Sequence, residues 1–318
     1  MTREPIFLEP VFKERIWGGT KLRDLFGYDI PSDHTGECWA VSAHPNGQST
    51  VANGACKGMP LGKLWAEHKE LFGTAAERSE VFPLLTKVLD ASQDLSVQVH
   101  PDDEYARAHE NGELGKTECW YVLAAEPGAE IIYGHTAKSR KELEAMIREG
   151  RWNELLGRVQ VKPGDFFYVP SGTIHALGAG IVVLETQQSS DTTYRVYDYD
   201  RTDAEGNKRE LHLEQAIRVT TVPHVDAETS YKVEQAGDAA ITTYVSNDFF
   251  TVQKLVLDGS LTVESRETFR ICSVIAGSGS LHVGDQEYAL GMGQHFIIPA
   301  DSGSLRFAGR MELIVSWL

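Results

Sequence analysis

Hydrophobic positions along the chain fall in short runs, separated by segments rich in Gly, Pro, Asn and Asp. Short apolar runs bounded by turn residues are typical of β-strands. The clearest runs are CWAVSA (38–43), LSVQVH (95–100), CWYVLAA (119–125), EIIYG (130–134), DFFYVP (165–170), GIVVLET (180–186), FTVQKLVL (250–257), FRICSVIA (269–276) and HFIIPA (295–300). Their number and spacing predict an all-β protein, built as a sandwich or a barrel.

Three segments carry helical signals instead of strand signals. Residues 61–73 have apolar side chains at helical spacing and end at a glycine, and residues 102–112 begin with acidic side chains. Residues 139–157 begin with a serine that is followed three positions later by Glu142, which forms a capping-box pattern. We interpret these helices as insertions that decorate a β scaffold.

One spacing occurs twice in the chain and predicts two similar β units. GDFFYVPSG (164–172) has a glycine and a proline separated by five residues, and GQHFIIPAD (293–301) repeats that spacing. Each segment follows a predicted strand pair with a turn. The second unit is expected to begin near residue 235, and TTVPHVDAETS (220–230) is the best candidate for a linker.

Composition and charge narrow the function classes. The 318 residues carry a formal net charge of −16, which argues against nucleic-acid binding because that binding depends on Lys and Arg neutralising phosphates. No apolar run approaches the roughly 18 residues of a membrane span, and the N-terminus lacks the apolar core of a signal peptide. The four cysteines form no CxxC pair. We expect a cytoplasmic protein, and nothing in the sequence requires more than a monomer or a weak homo-oligomer.

The strand predicted over 95–100 places an amide and an imidazole on the same face. Gln98 and His100 are two residues apart, so their side chains point to one side of a strand. Together with Glu118 and His175 they would supply two imidazole nitrogens, one carboxylate and one amide oxygen. Such a set suits a divalent transition metal such as zinc, copper, iron or nickel. The alternative is that the histidines are separate core residues bonded to backbone carbonyls.

The stretch GDFFYVPSGTIH (164–175) resembles the second motif of the cupin superfamily: Gly, five residues, Pro, one residue, Gly, two residues, His. Within the cupins the chain resembles the type I mannose-6-phosphate isomerases of the short bacterial form. The segments that carry this resemblance are RIWGG (15–19), GECWAVSAHPNG (36–47), FPLLTKVLDASQDLSVQVHPDD (82–103), GKTECWYVL (115–123), VPSGTIHAL (169–177) and VVLETQQSSDTTYRVYDYDR (182–201). The resemblance implies two cupin-type jelly-roll barrels with a few inserted helices. It implies a metal-binding catalytic domain over 1–225 and a smaller cupin-like domain without metal ligands over 226–318.

The resemblance also implies roles for individual residues. One zinc ion per chain would be held by Gln98, His100, Glu118 and His175. The implied catalytic residues are Arg195, Lys116 and Glu185. The implied substrate-binding residues are Lys87, Asp191 and Trp17. Simpler structural roles remain open for several of them: Lys116 as a solvated strand end, Glu185 as an outward-facing residue, and Asp191 as a turn residue paired with Arg195.

The implied activity is the interconversion of mannose 6-phosphate and fructose 6-phosphate through an enediol. Such a reaction needs a cation near the developing oxyanion and a group that moves a proton, and Lys116 and Glu185 are the leading candidates for that proton transfer. Two other classes of function stay open. The first is a metal-dependent cupin dioxygenase, although those enzymes more often present three histidines and a glutamate. The second is a cupin that binds a sugar phosphate without turnover.

Overall fold

A computed structural model of the chain describes residues 3–202, 206–229 and 231–318. Its strands are β1 (Ile6–Glu9), β2 (Val11–Gly19), β3 (Thr35–Val41), β4 (Thr50–Val51), β5 (Leu84–Ala91), β6 (Val97–Val99), β7 (Glu118–Ala125), β8 (Glu130–His135), β9 (Leu156–Gln160), β10 (Phe166–Val169), β11 (His175–Leu177), β12 (Ile181–Gln188), β13 (Tyr194–Tyr197), β14 (Lys232–Ala236), β15 (Ala239–Ser246), β16 (Thr251–Val263), β17 (Arg270–Val283), β18 (Gln286–Gly291), β19 (His295–Ile298) and β20 (Leu305–Trp317). Its α-helices are α1 (Lys21–Phe26), α2 (Leu61–Glu67), α3 (Ala75–Arg78), α4 (Asp103–His109), α5 (Arg140–Arg148), α6 (Trp152–Leu155) and α7 (Leu213–Val219). The prediction of an all-β fold with two jelly-roll barrels and few helices is confirmed.

The first barrel is built from two antiparallel sheets. A six-stranded sheet has the order β10-β7-β12-β5-β3-β2, and a five-stranded sheet has the order β13-β6-β11-β8-β9. Apolar side chains of both sheets pack together between them: Leu89 and Val122 come from the larger sheet, and Ile131 and Leu177 from the smaller one. Side chains on the inner faces of these strands therefore share one interior.

The second barrel is formed around a nine-stranded sheet. Eight of its strands have the order β14-β15-β16-β20-β17-β19-β1-β4, and the ninth, β18, pairs with β17. Its core includes Cys272, Phe296, Phe307 and Leu313, all buried. Strands β1 and β4, from the start of the chain, add to this sheet through β19. The N-terminal segment thus joins the two barrels, and the predicted limits at residues 225 and 226 stay a prediction.

A third apolar cluster lies where the two barrels meet. Trp65 of α2 packs against Phe72, Phe82 and Phe269, with ring centroids 4.8–6.3 Å apart. All four side chains are buried, and Phe269 belongs to the C-terminal half of the chain. Burial of aromatic side chains is among the largest stabilising contributions available to a domain. The cluster therefore fixes the helical insertion to both barrels.

The three predicted helical segments do contain helices, which are shorter than predicted, and α1, α3 and α7 were not predicted. The segment 61–73 divides into α2 and a 3-10 helix over Lys69–Leu71, before Gly73 takes a positive φ of 61°. The segment 139–157 divides into α5 and α6, because Gly150 between them adopts a φ of 66°. Residues 220–229 of the predicted linker contain neither helix nor strand, and position 230 lies outside the described residues. No helix among the described residues is long and apolar enough to span a membrane.

His295 makes the stability of the second barrel depend on pH. Its imidazole is buried between Ser273 Oγ (2.8 Å) and Tyr28 Oη (2.8 Å), and burial lowers its pKa to about 4. An unfolded chain would bind a proton at this residue below about pH 6.5. The contribution to stability is therefore present above pH 6.5 and is lost as the pH falls toward 4, amounting to about 3 kcal/mol.

We expect His295→Gln to flatten the decline in the free energy of unfolding between pH 6.5 and 4.5, as measured by urea denaturation. The exposed His109, replaced in the same way, serves as the control. An acid dependence equal to that of the unsubstituted chain would contradict the assignment.

Candidate active site

Three neighbouring strands of the five-stranded sheet bring the candidate residues together. Gln98 in β6 lies opposite His175 in β11 and, on its other side, opposite Arg195 in β13. His100 directly follows β6, so it stays on the face of Gln98, as the alternation of a strand requires. Glu118 opens β7 in the facing sheet. The local strand geometry therefore aims residues of both sheets at one interior point.

His100, Glu118 and His175 form a buried cluster whose ligand atoms all lie within 4.8 Å of one another. His175 Nε2 is 3.3 Å from Glu118 Oε1, and His100 Nε2 is 3.5 Å from Glu118 Oε2. Gln98 completes the group, with its Nε2 3.4 Å from His175 Nε2. Rotation of the Gln98 amide group by half a turn would direct its oxygen, instead of its nitrogen, at the cluster. The four predicted ligands are thus brought together.

Backbone carbonyls fix which nitrogen of each histidine faces the cluster. His100 Nδ1 lies 2.9 Å from the carbonyl oxygen of Thr192, and His175 Nδ1 lies 2.8 Å from that of Thr173. A carbonyl oxygen only accepts, so each Nδ1 carries the hydrogen and each Nε2 keeps a lone pair. Histidines that bind metals usually donate the hydrogen of their other ring nitrogen in this way.

The charge balance of the cluster favours a bound cation. Glu118 Oε1 is buried without a hydrogen-bond partner and faces the lone pair of His175 Nε2. Burial, followed by the charge of Glu185, raises the pKa of Glu118 to about 7. Burial and then Lys116 lower the pKa of His175 to about 4. When Glu118 is ionised, its Oε1 and His175 Nε2 are two acceptors that face each other, an arrangement that fits a metal ion, and the nitrogen and oxygen donors are those that zinc accepts.

Lys116 lies between the cluster and the neighbouring cavity. Its Nζ is 3.0 Å from His100 Nε2 and also forms an ion pair with Glu118. The side chain is buried, which excludes the interpretation of Lys116 as a solvated strand end. A metal ion held by the same nitrogen and oxygen atoms would compete with this ammonium group for their lone pairs.

A cavity of about 280 Å³ opens beside the cluster. Its lining contains five cationic side chains: Arg15, Lys87, Lys116, Arg195 and Arg209. It contains three carboxylates: Glu37, Glu185 and Asp191. Trp17, Leu89 and Leu95 form apolar parts of the wall. Gln98 connects the cavity to the buried group of His100, Glu118 and His175, which we call the metal-type cluster. The excess of cations is local, since the whole chain is strongly acidic, and it suits an anionic ligand.

Glu185 points into this cavity and is held there by two contacts. Trp120 Nε1 donates to Glu185 Oε2 at 2.9 Å, and Lys87 Nζ lies 3.3 Å from Oε1. Burial alone would raise the pKa of Glu185, but the charges of Lys116 and Lys87 outweigh it and lower that pKa. The alternative in which Glu185 faces outward is therefore wrong. The carboxylate is ionised and fixed at the cavity wall.

Lys87 is a permanent cation of the same wall. Its side chain is buried, and its Nζ lies 5.2 Å from the centroid of the Trp39 ring. Burial acts most strongly on this group and opposes the charged form, but the charges of the Glu185, Glu37, Asp191 and Glu118 carboxylates together outweigh it and raise the pKa of Lys87. A buried ammonium paired with one carboxylate and one ring face keeps a fixed position.

Arg195 and Asp191 also line the cavity. Arg195 Nη1 donates to the carbonyl oxygen of Glu210 at 2.7 Å, whereas its Nε is buried without a partner. Asp191 accepts a hydrogen bond from Asn46 Nδ2 at 2.8 Å. No ion pair between Asp191 and Arg195 occurs among the described residues, so Arg195 keeps donors for a ligand.

Three charged residues of the cavity were not predicted as site residues: Arg15, Glu37 and Arg209. Arg15 Nε donates to Glu37 Oε1 at 2.8 Å, and Trp39 Nε1 donates to Glu37 Oε2 at 2.5 Å. Arg209 is paired with Asp198. Arg15 lies in RIWGG and Glu37 in GECW, both recognised as family segments, but Arg209 belongs to a segment without a motif. All ten predicted site residues, by contrast, lie in the cavity wall or in the adjoining cluster.

The fold and this site define a cupin-type barrel protein with a buried His-Glu-His cluster beside a cationic cavity. Comparison with known proteins gives the family. The chain matches the family models described as "Phosphomannose isomerase type I, catalytic domain" over residues 6–123 and "Mannose-6-phosphate isomerase, cupin domain" over residues 240–318. The chain belongs to the type I phosphomannose isomerase family.

Individual relatives are similar over their whole length. The chain is 56% identical to the mannose-6-phosphate isomerase ManA of Bacillus subtilis (strain 168) over 318 residues, covering 100% of both chains. It is 56% identical to the mannose-6-phosphate isomerase of Streptococcus mutans over 313 residues, covering 98% of both. The crystal structure of the mannose 6-phosphate isomerase from Bacillus subtilis has a TM-score of 0.96 to this chain at 55% identity, covering 99% of each.

Proposed function

We propose that the chain is a zinc-dependent aldose–ketose isomerase that interconverts mannose 6-phosphate and fructose 6-phosphate through an enediol, with one zinc ion per chain. The observation that carries the proposal is the unpartnered Glu118 Oε1 facing the lone pair of His175 Nε2 beside a cationic cavity. Family membership supports the isomerase and argues against a cupin dioxygenase.

Gln98, His100, Glu118 and His175 would hold the zinc ion. When bound, zinc would supply positive charge to the oxygens of the reacting diol. With these lone pairs occupied, the Lys116 ammonium would be free to face the cavity that it lines. Arg195 would hold a diol oxygen or the phosphate, because its guanidinium presents paired donors and its Nε is unpartnered.

The isomerisation moves one hydrogen from C2 to C1 and one hydroxyl proton between the two oxygens. Glu185 is ionised and fixed by Trp120 and Lys87, so it can take the proton from C2 and return it at C1. Lys116 is the other candidate for this transfer. Lys87, Asp191 and Trp17 would position the open-chain sugar phosphate against these groups.

Removal of bound metal should abolish conversion of mannose 6-phosphate to fructose 6-phosphate, and zinc should restore it. Magnesium is the matched control, since it prefers oxygen ligands and a set with two imidazoles should hold it weakly. The measurements are turnover and metal content per chain. If the zinc-loaded chain binds mannose 6-phosphate without turnover, the isomerase proposal fails and a sugar-phosphate-binding function replaces it.

A further inference from the structure

The second barrel contains a cavity of about 420 Å³ that is separate from the active site. Its wall is mainly apolar and includes Leu255, Ile298, Phe307, Val315 and Trp317. The volume lies in the range of about 300–1,000 Å³ that is usual for small-molecule sites. Polar groups at defined points of such a wall determine which ligand it accepts.

Strand pairing shows which residues of the two barrels correspond. In the first barrel Glu118 of β7 lies opposite Val169, which directly precedes Pro170. In the second barrel Arg270 of β17 lies opposite Ile298, which directly precedes Pro299. Arg270 therefore occupies the position that the carboxylate of the metal-type cluster has in the first barrel. The charge at the corresponding point of the barrel interior is reversed.

A second replacement opens space beside this arginine. Trp120 lies opposite Phe167 in the first barrel, and Cys272 lies opposite Phe296 at the corresponding place in the second. Cys272 lines the cavity. A cysteine leaves free the volume that an indole occupies in the first barrel.

Arg270 is only 5% exposed, yet it lacks a carboxylate partner among the described residues. Its Nη2 donates to the carbonyl oxygen of Glu264 at 2.9 Å, and its Nε is buried with no hydrogen-bond partner. A buried unpaired guanidinium is costly, because the charge has lost its water. An anion in the cavity would remove that cost.

The other charged groups of the cavity lie toward solvent. Arg266 is exposed and covers the Trp317 ring at 4.2 Å, and Glu234 and Glu264 are exposed too. Charges in contact with water interact weakly, so the buried Arg270 dominates the interior. One buried positive charge balances one negative charge. A phosphate ester, with nearly two negative charges, would remain uncompensated in this apolar wall.

We propose that the second barrel binds an amphipathic monocarboxylate, with the carboxylate on Arg270 and an apolar tail along Leu255, Phe307 and Val315. Arg270 Nε and one terminal nitrogen form a planar pair of donors that matches a carboxylate. The first barrel thus uses its interior for a cation and the second for an organic anion.

Calorimetric titration of the zinc-loaded full chain with octanoate tests this site. Octanoate should bind once per chain, whereas 1-octanol, of the same length without the charge, should bind at least about tenfold more weakly. Arg270→Gln should weaken octanoate binding about ten- to a hundredfold and leave isomerase turnover unchanged. Arg310→Gln is the matched control, since Arg310 belongs to the same barrel with a side chain 87% exposed.

Two further measurements keep the test decisive. Cys272→Leu narrows the cavity and keeps the Arg270 charge, and it should weaken octanoate binding even if Arg270→Gln does not fold. Mannose 6-phosphate should not displace octanoate. Any of four results would overturn the proposal: mannose 6-phosphate displaces octanoate, 1-octanol binds as tightly as octanoate, octanoate does not bind, or a folded Arg270→Gln variant binds octanoate as tightly as the unsubstituted chain does.

Discussion

His100→Ala is expected to lower kcat/KM for mannose 6-phosphate by about 10³-fold or more and to reduce zinc content well below one ion per chain. The imidazole is buried in the cluster, and the carbonyl oxygen of Thr192 holds its Nδ1–H, so Nε2 is directed at the position proposed for the metal. Alanine removes that nitrogen and also leaves Lys116 without its 3.0 Å contact. Activity assays and metal analysis on the same sample measure both losses.

His282→Ala is the control for this substitution, because His282 belongs to the β17–β18 hairpin of the second barrel and contacts Ser280. It should keep both zinc and activity. Circular dichroism separates loss of metal from loss of fold in His100→Ala. A folded His100→Ala variant that retains zinc and turnover would remove His100 from the proposed ligand set.

The metal-type cluster could be predicted from the sequence because its residues occur in local patterns. Gln98 and His100 share a strand face by the two-residue period alone, and His175 follows a Gly-Pro-Gly spacing that defines a turn. The partners of Glu185 could not be predicted in this way. Trp120 and Lys87 reach it from the two neighbouring strands, so the contacts depend on the register between β5, β7 and β12.

The second barrel shows where a motif offset is misleading. His175 lies five positions after Pro170. The residue five positions after Pro299 is Ser304, which does not line the cavity of the second barrel. The informative correspondence is between Glu118 and Arg270, and it rests on which residue lies opposite the one before each proline. Pairing across strands preserves spatial position, whereas loop length after the proline differs between the barrels.

The bounds of the helices also could not be predicted from a local sequence pattern. The segment 139–157 carries one capping signal, at Ser139 and Glu142, which predicts one helix. Gly150 adopts a positive φ, and the chain turns there, so that α5 and α6 pack Met146 and Leu155 into the same apolar cluster. The turn is favoured by tertiary packing of both short helices, which a local pattern does not contain.

Glu185→Gln is expected to lower kcat about 10²- to 10⁴-fold with zinc content unchanged, the usual effect of removing a general base. Glutamine keeps the volume and the acceptor for Trp120 Nε1, but it loses the charge that would take the C2 proton. A base acts in the transition state, so KM should change little. Exchange of the C2 hydrogen into D₂O should fall together with turnover.

Glu37→Gln is the matched control, because Glu37 also lines the cavity and also accepts a hydrogen bond from an indole, that of Trp39. It is paired with Arg15 instead of Lys87, and its loss should change kcat less than about tenfold, below the range of a general base. Lys116→Gln provides the comparison between the two candidates for proton transfer. If Glu185→Gln still exchanges the C2 hydrogen while Lys116→Gln does not, the transfer belongs to Lys116, and Glu185 serves to hold Lys87 at the cavity wall.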